Sequence, residues 1–456
     1  MIRKLNLLSR IKKNIKSPSA ITIVVMAIVV MCFFNFFKGW KGESSPFRND
    51  ADQYHSYLVA KFVHNDLTFG FPNAYWIHKS PKDIFINKFT IGVALMEMPF
   101  FLVGHKIAQA TDYKVDGYSS PYCYAASFGI LLYVFIALCL LRKVLLDYYD
   151  ELVTSLTLIS VFLGTNLHYY SISEGTMPHS YLFFLTSLIL YLAWKWDKTK
   201  KLKYFYASFF FCGFATVLRP TNAICVLIPV LYGIANFKDL WARIKIVIET
   251  KIVVRSLLFF ILAASPQLIY WKWATGSFIY YSYTREGFFF NDPKVISFLF
   301  SFTKGWFIYT PIMLLGCAGI FLRSAKQVRV LNIAFFSIAI YTLSSWWCWW
   351  YGGSYGMRSM IEYYSILSLP LAAFFNLLTT SKMKKAIAIS IAVLLVSWNI
   401  LGEVRYRNIV IYWDGMTYES YKMGIFKLRF SGEEQKEFES KLRFIDTDNA
   451  LEGRRD

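Results

Sequence analysis

The stretch 89–107, FTIGVALMEMPFFLVGHKI, decides how this chain is threaded through its surroundings. It is apolar enough to pass for a membrane-crossing helix, yet Glu97 and Pro99 stand in its middle. If it crossed, every later cluster of Lys and Arg would change sides. Read as an amphipathic helix at the outer interface, it becomes part of one long outer loop from about 38 to 120 and leaves those clusters together.

Working outward, apolar runs long enough to span a bilayer lie at 21–37, 121–141, 152–168, 179–194, 204–218, 222–237, 252–271, 298–322, 330–350, 359–378 and 386–401, which predicts eleven spans. With a cytoplasmic N-terminus, Arg142 and Lys143, the run 195–203 (KWDKTKKLK), the segment 238–255, the run 323–329 (RSAKQVR) and 381–385 (SKMKK) all fall inside. Together with the basic start of the chain they hold nearly half of the 49 Lys and Arg residues, and this asymmetry sets the orientation. Residues 1–402 then read as one transmembrane domain and 403–456 as a small polar tail on the outer side.

Composition agrees. Of 456 residues, 56% are apolar and only 17% charged, with a mean hydropathy of +0.40, a balance that excludes a water-soluble fold. The net charge of +20 sits in short clusters between uncharged runs, which is membrane topology and not a nucleic-acid surface. The 7 cysteines lie in or beside apolar runs without C-x-x-C spacing, so they read as packing residues. The run 21–37 follows a basic start that imitates a signal peptide, but it is long and lacks a small-residue cleavage site, so it reads as the first span.

This topology gathers polar residues on the outer face. Short outer loops should be poor in positive charge, yet Arg219 (LRPTN) and Arg358 (GGSYGMR) sit in two of them; an anionic partner explains both, as does snorkelling to headgroups or pairing with a neighbouring acid. The outer loop opens with FRNDADQYHSYL, placing Asp50 and Asp52 just beyond the first span. Such a D-x-D pair is a helix cap, a solvated turn, or a catalytic or metal site. Lys88, Glu174, His179 and Glu286 come to the same face from other segments, and this convergence favours a site over scattered structural roles.

In the order of these motifs the chain resembles the GT-C superfamily of polytopic glycosyltransferases, in particular bacterial members like dolichyl-phosphate-mannose protein mannosyltransferases and the aminoarabinose transferase of lipid A. The resemblance covers most of 20–400 and is carried by NDADQYHSYL, NKFTIGVALMEMPFF, LRPTN, and GWFIYTP followed by WYGGSYGMR. It implies an all-α membrane fold with Asp50 as catalytic aspartate and Asp52 as runner-up. It also implies that Lys88 reaches the donor's lipid phosphate, that Arg358 is the arginine of a late outer loop, and that His179 corresponds loosely to a position where relatives carry an acid. The string WWCWWYGG (346–353) looks like the W-W-D-Y-G signature of oligosaccharyltransferases without its aspartate, and reads as an aromatic interface belt. The short tail argues against Asn-linked glycan transfer.

The resulting expectation is an inverting glycosyltransferase moving a sugar from a polyprenyl-phosphate donor to a hydroxyl of a lipid, glycan or protein on the outer face of a bacterial inner membrane. Lys88, Arg219 and Arg358 would hold the donor phosphate, Asp50 or Asp52 would act in catalysis, and Glu174, His179 and Glu286 would line the substrate site. A divalent cation held by Asp50 and Asp52 stays open, and nucleic acid is not expected. The alternative is a transporter or flippase of an anionic lipid or lipid-linked sugar; spans nearly free of acids speak against it.

Overall fold

The computed structural model describes residues 17–37, 45–71 and 77–455; the basic segment 3–16 and the first part of the outer loop, 38–44, lie outside the described residues. The chain is almost entirely helical, with one two-stranded hairpin as the sheet among the described residues. Helix α1 (Pro18–Phe37) begins in a knot of polar contacts. The Ser19 amide donates to Glu151 at 3.0 Å, and Arg142 donates to Ser19 at 2.6 Å and pairs with Glu151 at 3.3 Å. The start of α1 and the junction between α4 (Ser120–Leu145) and α5 (Glu151–Leu163) therefore share one end of the bundle. Lys198 pairs with Asp147, and Arg243 with Asp197, so the ends of α4, α7 (Pro178–Thr199) and the short α10 (Phe237–Val247) also meet there. These are the segments that the charge pattern assigns to one side.

At the opposite end lies the segment between α1 and α4. Helix α2 (Asp50–Val59) runs into a π-helical turn, Ala60–His64, and is followed by the hairpin β1 (Ile77–Lys79) and β2 (Phe85–Asn87), antiparallel with Ile77 opposite Asn87. The stretch 89–107 forms helix α3 (Gly92–Gln109) with Pro99 inside it. Its polar Glu97 and His105 turn inward, while Leu102, Val103 and Ile107 are exposed, as expected of a helix lying on an apolar medium. Its start is tied to the end of α8 (Leu202–Leu218): Thr90 donates to the Leu218 carbonyl at 3.2 Å, and a Cβ on Gly92 would collide with the backbone of Val217.

Five helices among the described residues are long and apolar enough to cross a membrane: α4, α11 (Thr250–Thr275), the unit Arg323–Ser345 containing α15 (Lys326–Ser345), the unit Arg358–Leu377 ending in α16 (Tyr364–Leu377), and α17 (Lys382–Arg407). Shorter apolar helices, including parts of α1 and all of α5 and α8, complete the bundle. Among the eleven expected spans, 222–237 and 298–322 depart furthest from a continuous helix. The run 222–237 is a 3-10 turn, Pro220–Val226, followed by the five-residue α9 (Leu227–Leu231), because Pro220 and Pro229 each lack an amide donor. The run 298–322 breaks into α12 (Val295–Phe300), α13 (Trp306–Tyr309) and α14 (Ile312–Gly319) around buried Lys304 and Pro311. Lys304 leaves the helical pattern to donate to the carbonyls of Ser354 and Trp413.

The core carries many aromatic side chains, and several of their polar ends find partners. Tyr57 donates to the Phe89 carbonyl at 2.7 Å, Tyr364 to Asn166 at 2.8 Å and Tyr355 to the Asn399 carbonyl at 3.2 Å. Outward faces are apolar instead: α11 exposes Val254, Leu258, Leu262 and Ile269, and α17 exposes Val393 and Leu394. Apolar stripes of that extent face lipid, and the chain is a multi-pass membrane protein.

Candidate active site

A cavity of about 530 Å3 opens at the end of the bundle that carries α2 and the β1–β2 hairpin. Asp50, Lys88, His179, Arg219, Glu286 and Arg358 all line it, so six of the eight residues singled out from the sequence face one space. Its walls are aromatic, with Tyr54, Tyr283, Trp346, Trp347 and Tyr351. The tail closes one flank through Asp414, Thr447 and Leu451.

Local backbone rules explain how the cations arrive. Arg219 ends α8 in an extended conformation, φ −150°, because the residue before a proline is steered out of the helical region. Arg358 follows a loop in which Gly352 and Gly356 take φ of 64° and 60°. Such angles suit glycine, and at Gly356 a side chain would also strike Tyr309. Tyr351 adopts φ 59° without glycine's freedom, a strained conformation at the cavity wall.

Each cation has a carboxylate partner. Arg358 Nη2 stands 3.1 Å from Asp50 Oδ2. Lys88 pairs with Glu286, its ammonium 5.3 Å from the centre of the Tyr283 ring. Arg219 pairs with Glu362 and lies 5.5 Å from the Tyr351 ring centre. Glu362 also accepts from Asn222 Nδ2 at 2.6 Å and lies 3.1 Å from His179 Nδ1. It is fully buried and was not singled out from the sequence. The available signal was an acid inside the apolar run 359–378, where an ionisable residue is by default functional. Glu362 is the one acid within the eleven expected runs, which are otherwise free of acids, and it sits in the first turn of its span, on the cavity side.

Asp52 and Glu174 do not line the cavity. Asp50 and Asp52 both belong to α2, where positions two apart point about 200° away from each other. Asp52 turns to the far face, where the Tyr118 hydroxyl donates to it and burial raises its pKa against the opposing pull of Tyr118 and His55. The two aspartates therefore do not form one donor set for a divalent ion, and among the described residues no three His, Cys, Asp or Glu side chains group at metal-ligand spacing. Glu174 is half-buried behind Asp50 and Arg358 and accepts from Tyr169 at 3.1 Å; burial raises its pKa, with Arg358 opposing.

Helix α2 is held in place by a second buried pair. His55 Nδ1 meets Glu97 of α3 at 2.8 Å, and His55 Nε2 meets the Gly117 carbonyl at 2.8 Å, while the Phe47 ring stacks 3.7 Å away. Two acceptors on one imidazole call for a proton on both nitrogens. Burial works against that charge, but Glu97 and Gly117 outweigh it and the His55 pKa is raised.

No protein-family model matches the chain, and no curated protein is significantly similar to it. Among solved structures it aligns with the archaeal oligosaccharyltransferase AglB from Archaeoglobus fulgidus in complex with an inhibitory peptide and a dolichol-phosphate, at 11% identity and a TM-score of 0.48. The apo form of the Archaeoglobus fulgidus oligosaccharyltransferase gives 12% and 0.48, and its complex with Zn and sulfate 12% and 0.46. These alignments cover 94% of this chain but only 58–60% of the archaeal chains, so the protein spans about three fifths of their length. Similarity of this degree leaves activity, substrate and partners to be argued from the site.

The His55–Glu97 pair has a testable pH signature. Because the folded pKa lies above the ordinary histidine value of about 6.5, its stabilisation is complete below that value and fades as pH rises through the folded pKa. The stability advantage of wild type over His55→Gln, read from thermal unfolding in detergent, is expected to be largest near pH 6 and to shrink above it. An advantage independent of pH would contradict the charged pair.

Proposed function

We propose that the chain is a GT-C type glycosyltransferase that moves one sugar from a polyprenyl-phosphate donor to an acceptor hydroxyl, with inversion, on the outer face of a bacterial inner membrane. The observation that carries this reading is the meeting of Lys88, Arg219, Arg358 and Asp50 in one aromatic-walled cavity at one end of a lipid-facing bundle. A pocket of this size suits the head of a sugar phosphate, while the isoprenoid chain stays in the apolar surroundings of the helices.

A polyprenyl phosphate is a competent leaving group, so its departure needs little acid help but does need positive charge where the phosphate becomes more negative. Lys88, Arg219 and Arg358 supply that charge. The donor phosphate competes with Asp50 for Arg358, and the displaced Asp50 carboxylate takes the proton of the attacking hydroxyl as the new glycosidic bond forms and the sugar–phosphate bond breaks. Glu286 gives way at Lys88 in the same manner. A single displacement inverts the anomeric centre. Among the residues named from the sequence, His179 acts through Glu362, and Asp52 and Glu174 support the position of α2 and Arg358.

Orientation rests on the clustering of basic segments at the end opposite the cavity. Reporter fusions at Lys200 and after Arg407 are expected to report cytoplasmic and external locations respectively; the reverse pattern would show that α3 crosses the membrane.

The chemical roles separate by mutation. Asp50→Asn keeps the shape but cannot take a proton, so the transfer step is expected to fall by about 10²- to 10⁴-fold, whereas Asp52→Asn retains most activity. Lys88→Ala and Arg358→Ala are expected to raise the donor KM and lower kcat together. A fully active Asp50→Asn enzyme, measured by transfer of labelled sugar in membranes, would sink the base assignment.

A further inference from the structure

Glu362 sets one of the three cation–carboxylate pairs apart from the other two. Asp50 and Glu286 line the cavity with side chains 33% and 18% exposed, so an incoming anion can displace either from its cation. Glu362 is 0% exposed and does not line the cavity, so nothing entering can reach it. Both of its carboxylate oxygens are in use, one with Arg219 and His179, the other with Asn222. Its own carbonyl accepts from Thr186 at 2.6 Å, which locks the turn to α7. Arg219, in contrast, reaches the cavity wall and stacks over Tyr351. The same 3-10 turn, Arg358–Tyr363, carries both Glu362 and the cavity arginine Arg358.

We infer that Glu362 is a positioning residue that fixes the Arg219 guanidinium toward the phosphate of the ligand, through an anchor of Asn222, His179 and Thr186 which the ligand cannot displace. This rests on the reading of the cavity as a polyprenyl-phosphate site. A buried carboxylate is expensive to keep unless it is fully paired, and here full pairing leaves the arginine with one geometry. A planar guanidinium held through Nη1 by Glu362 and laid over the Tyr351 ring presents its remaining N–H groups in a fixed direction, which a freely rotating arginine would have to find at an entropic cost. Lys88 and Arg358 lose their acidic partners on binding, while Arg219 keeps its own. Arg219 therefore contributes direction more than net charge.

Charge alone and positioning give opposite signs for the same variant. Glu362→Gln adds one positive charge to the site, so a mere neutraliser would leave binding tighter without it. A positioning residue leaves binding weaker. The experiment measures the affinity of undecaprenyl phosphate for the purified full chain in nanodiscs, for wild type, Glu362→Gln, Arg219→Gln and the double variant, with thermal unfolding recorded for each. Glu362→Gln is expected to weaken binding by about ten- to a hundredfold, Arg219→Gln by a comparable factor, and the double variant no further than Arg219→Gln alone. Tighter binding by Glu362→Gln, or losses that multiply in the double variant, would overturn the inference. If Glu362→Gln does not fold, Asn222→Ala loosens the same carboxylate and is expected to weaken binding in the same direction; unchanged affinity would then overturn it. Wild type that fails to bind undecaprenyl phosphate refutes the reading of the cavity itself, whereas wild-type binding with an unaffected Glu362→Gln refutes only the role of Glu362.

Discussion

The Arg358–Asp50 pair closes the molecule on itself: it joins α2 to the turn before α16 across 308 residues of sequence. Around it, three cations stand within one low-dielectric cavity, an arrangement that would be prohibitive without counter-charge. Asp50, Glu286 and Glu362 supply that counter-charge from three different segments. The three cations of the cavity are thus each balanced by a carboxylate.

The membrane imposes the rest of the layout. Backbone polar groups in hydrocarbon must be satisfied within the protein, so regular helices fill the bundle and irregular backbone is confined to places where protein surrounds it. The broken run 298–322 follows this rule. Its interruption brings buried Lys304 to the carbonyls of Ser354 and Trp413, fastening the loop before Arg358 to the start of the tail. The tail returns to the cavity flank, with Arg455 buried against the carbonyls of Ser344, Ser345 and Trp346. Irregular structure, buried charge and the cavity therefore occur together, at one end of the bundle.

Much of this was legible in the sequence because membrane topology obeys a parity rule. Once 89–107 is kept at the interface, Asp50, Lys88, His179, Arg219, Glu286 and Arg358 must all lie on one side, and they line one cavity. Hydropathy averaged over each run could not reveal that 222–237 begins as a 3-10 turn or that 298–322 is three helices, although Asn222 and Pro229 in the first and Lys304 and Pro311 in the second stand at the irregular backbone. D-x-D spacing carries no helical phase until α2 is known to start at Asp50, and that phase is what turns Asp52 away. Glu362 escaped because a long apolar run reads as lipid-facing, whereas α16 and the turn before it are almost wholly buried in protein.

The most direct measurement of the central claim follows the bond that is said to break. Purified protein in proteoliposomes is incubated with polyprenyl-phosphate hexoses and pentoses and an envelope extract as acceptor, and 31P NMR monitors the lipid phosphate. Glycosyl transfer converts the phosphodiester of one such donor into a phosphomonoester, in wild type and not in Asp50→Asn. A phosphodiester that stays intact with every donor while the lipid changes leaflet would contradict the account and make the protein a carrier of lipid-linked sugar.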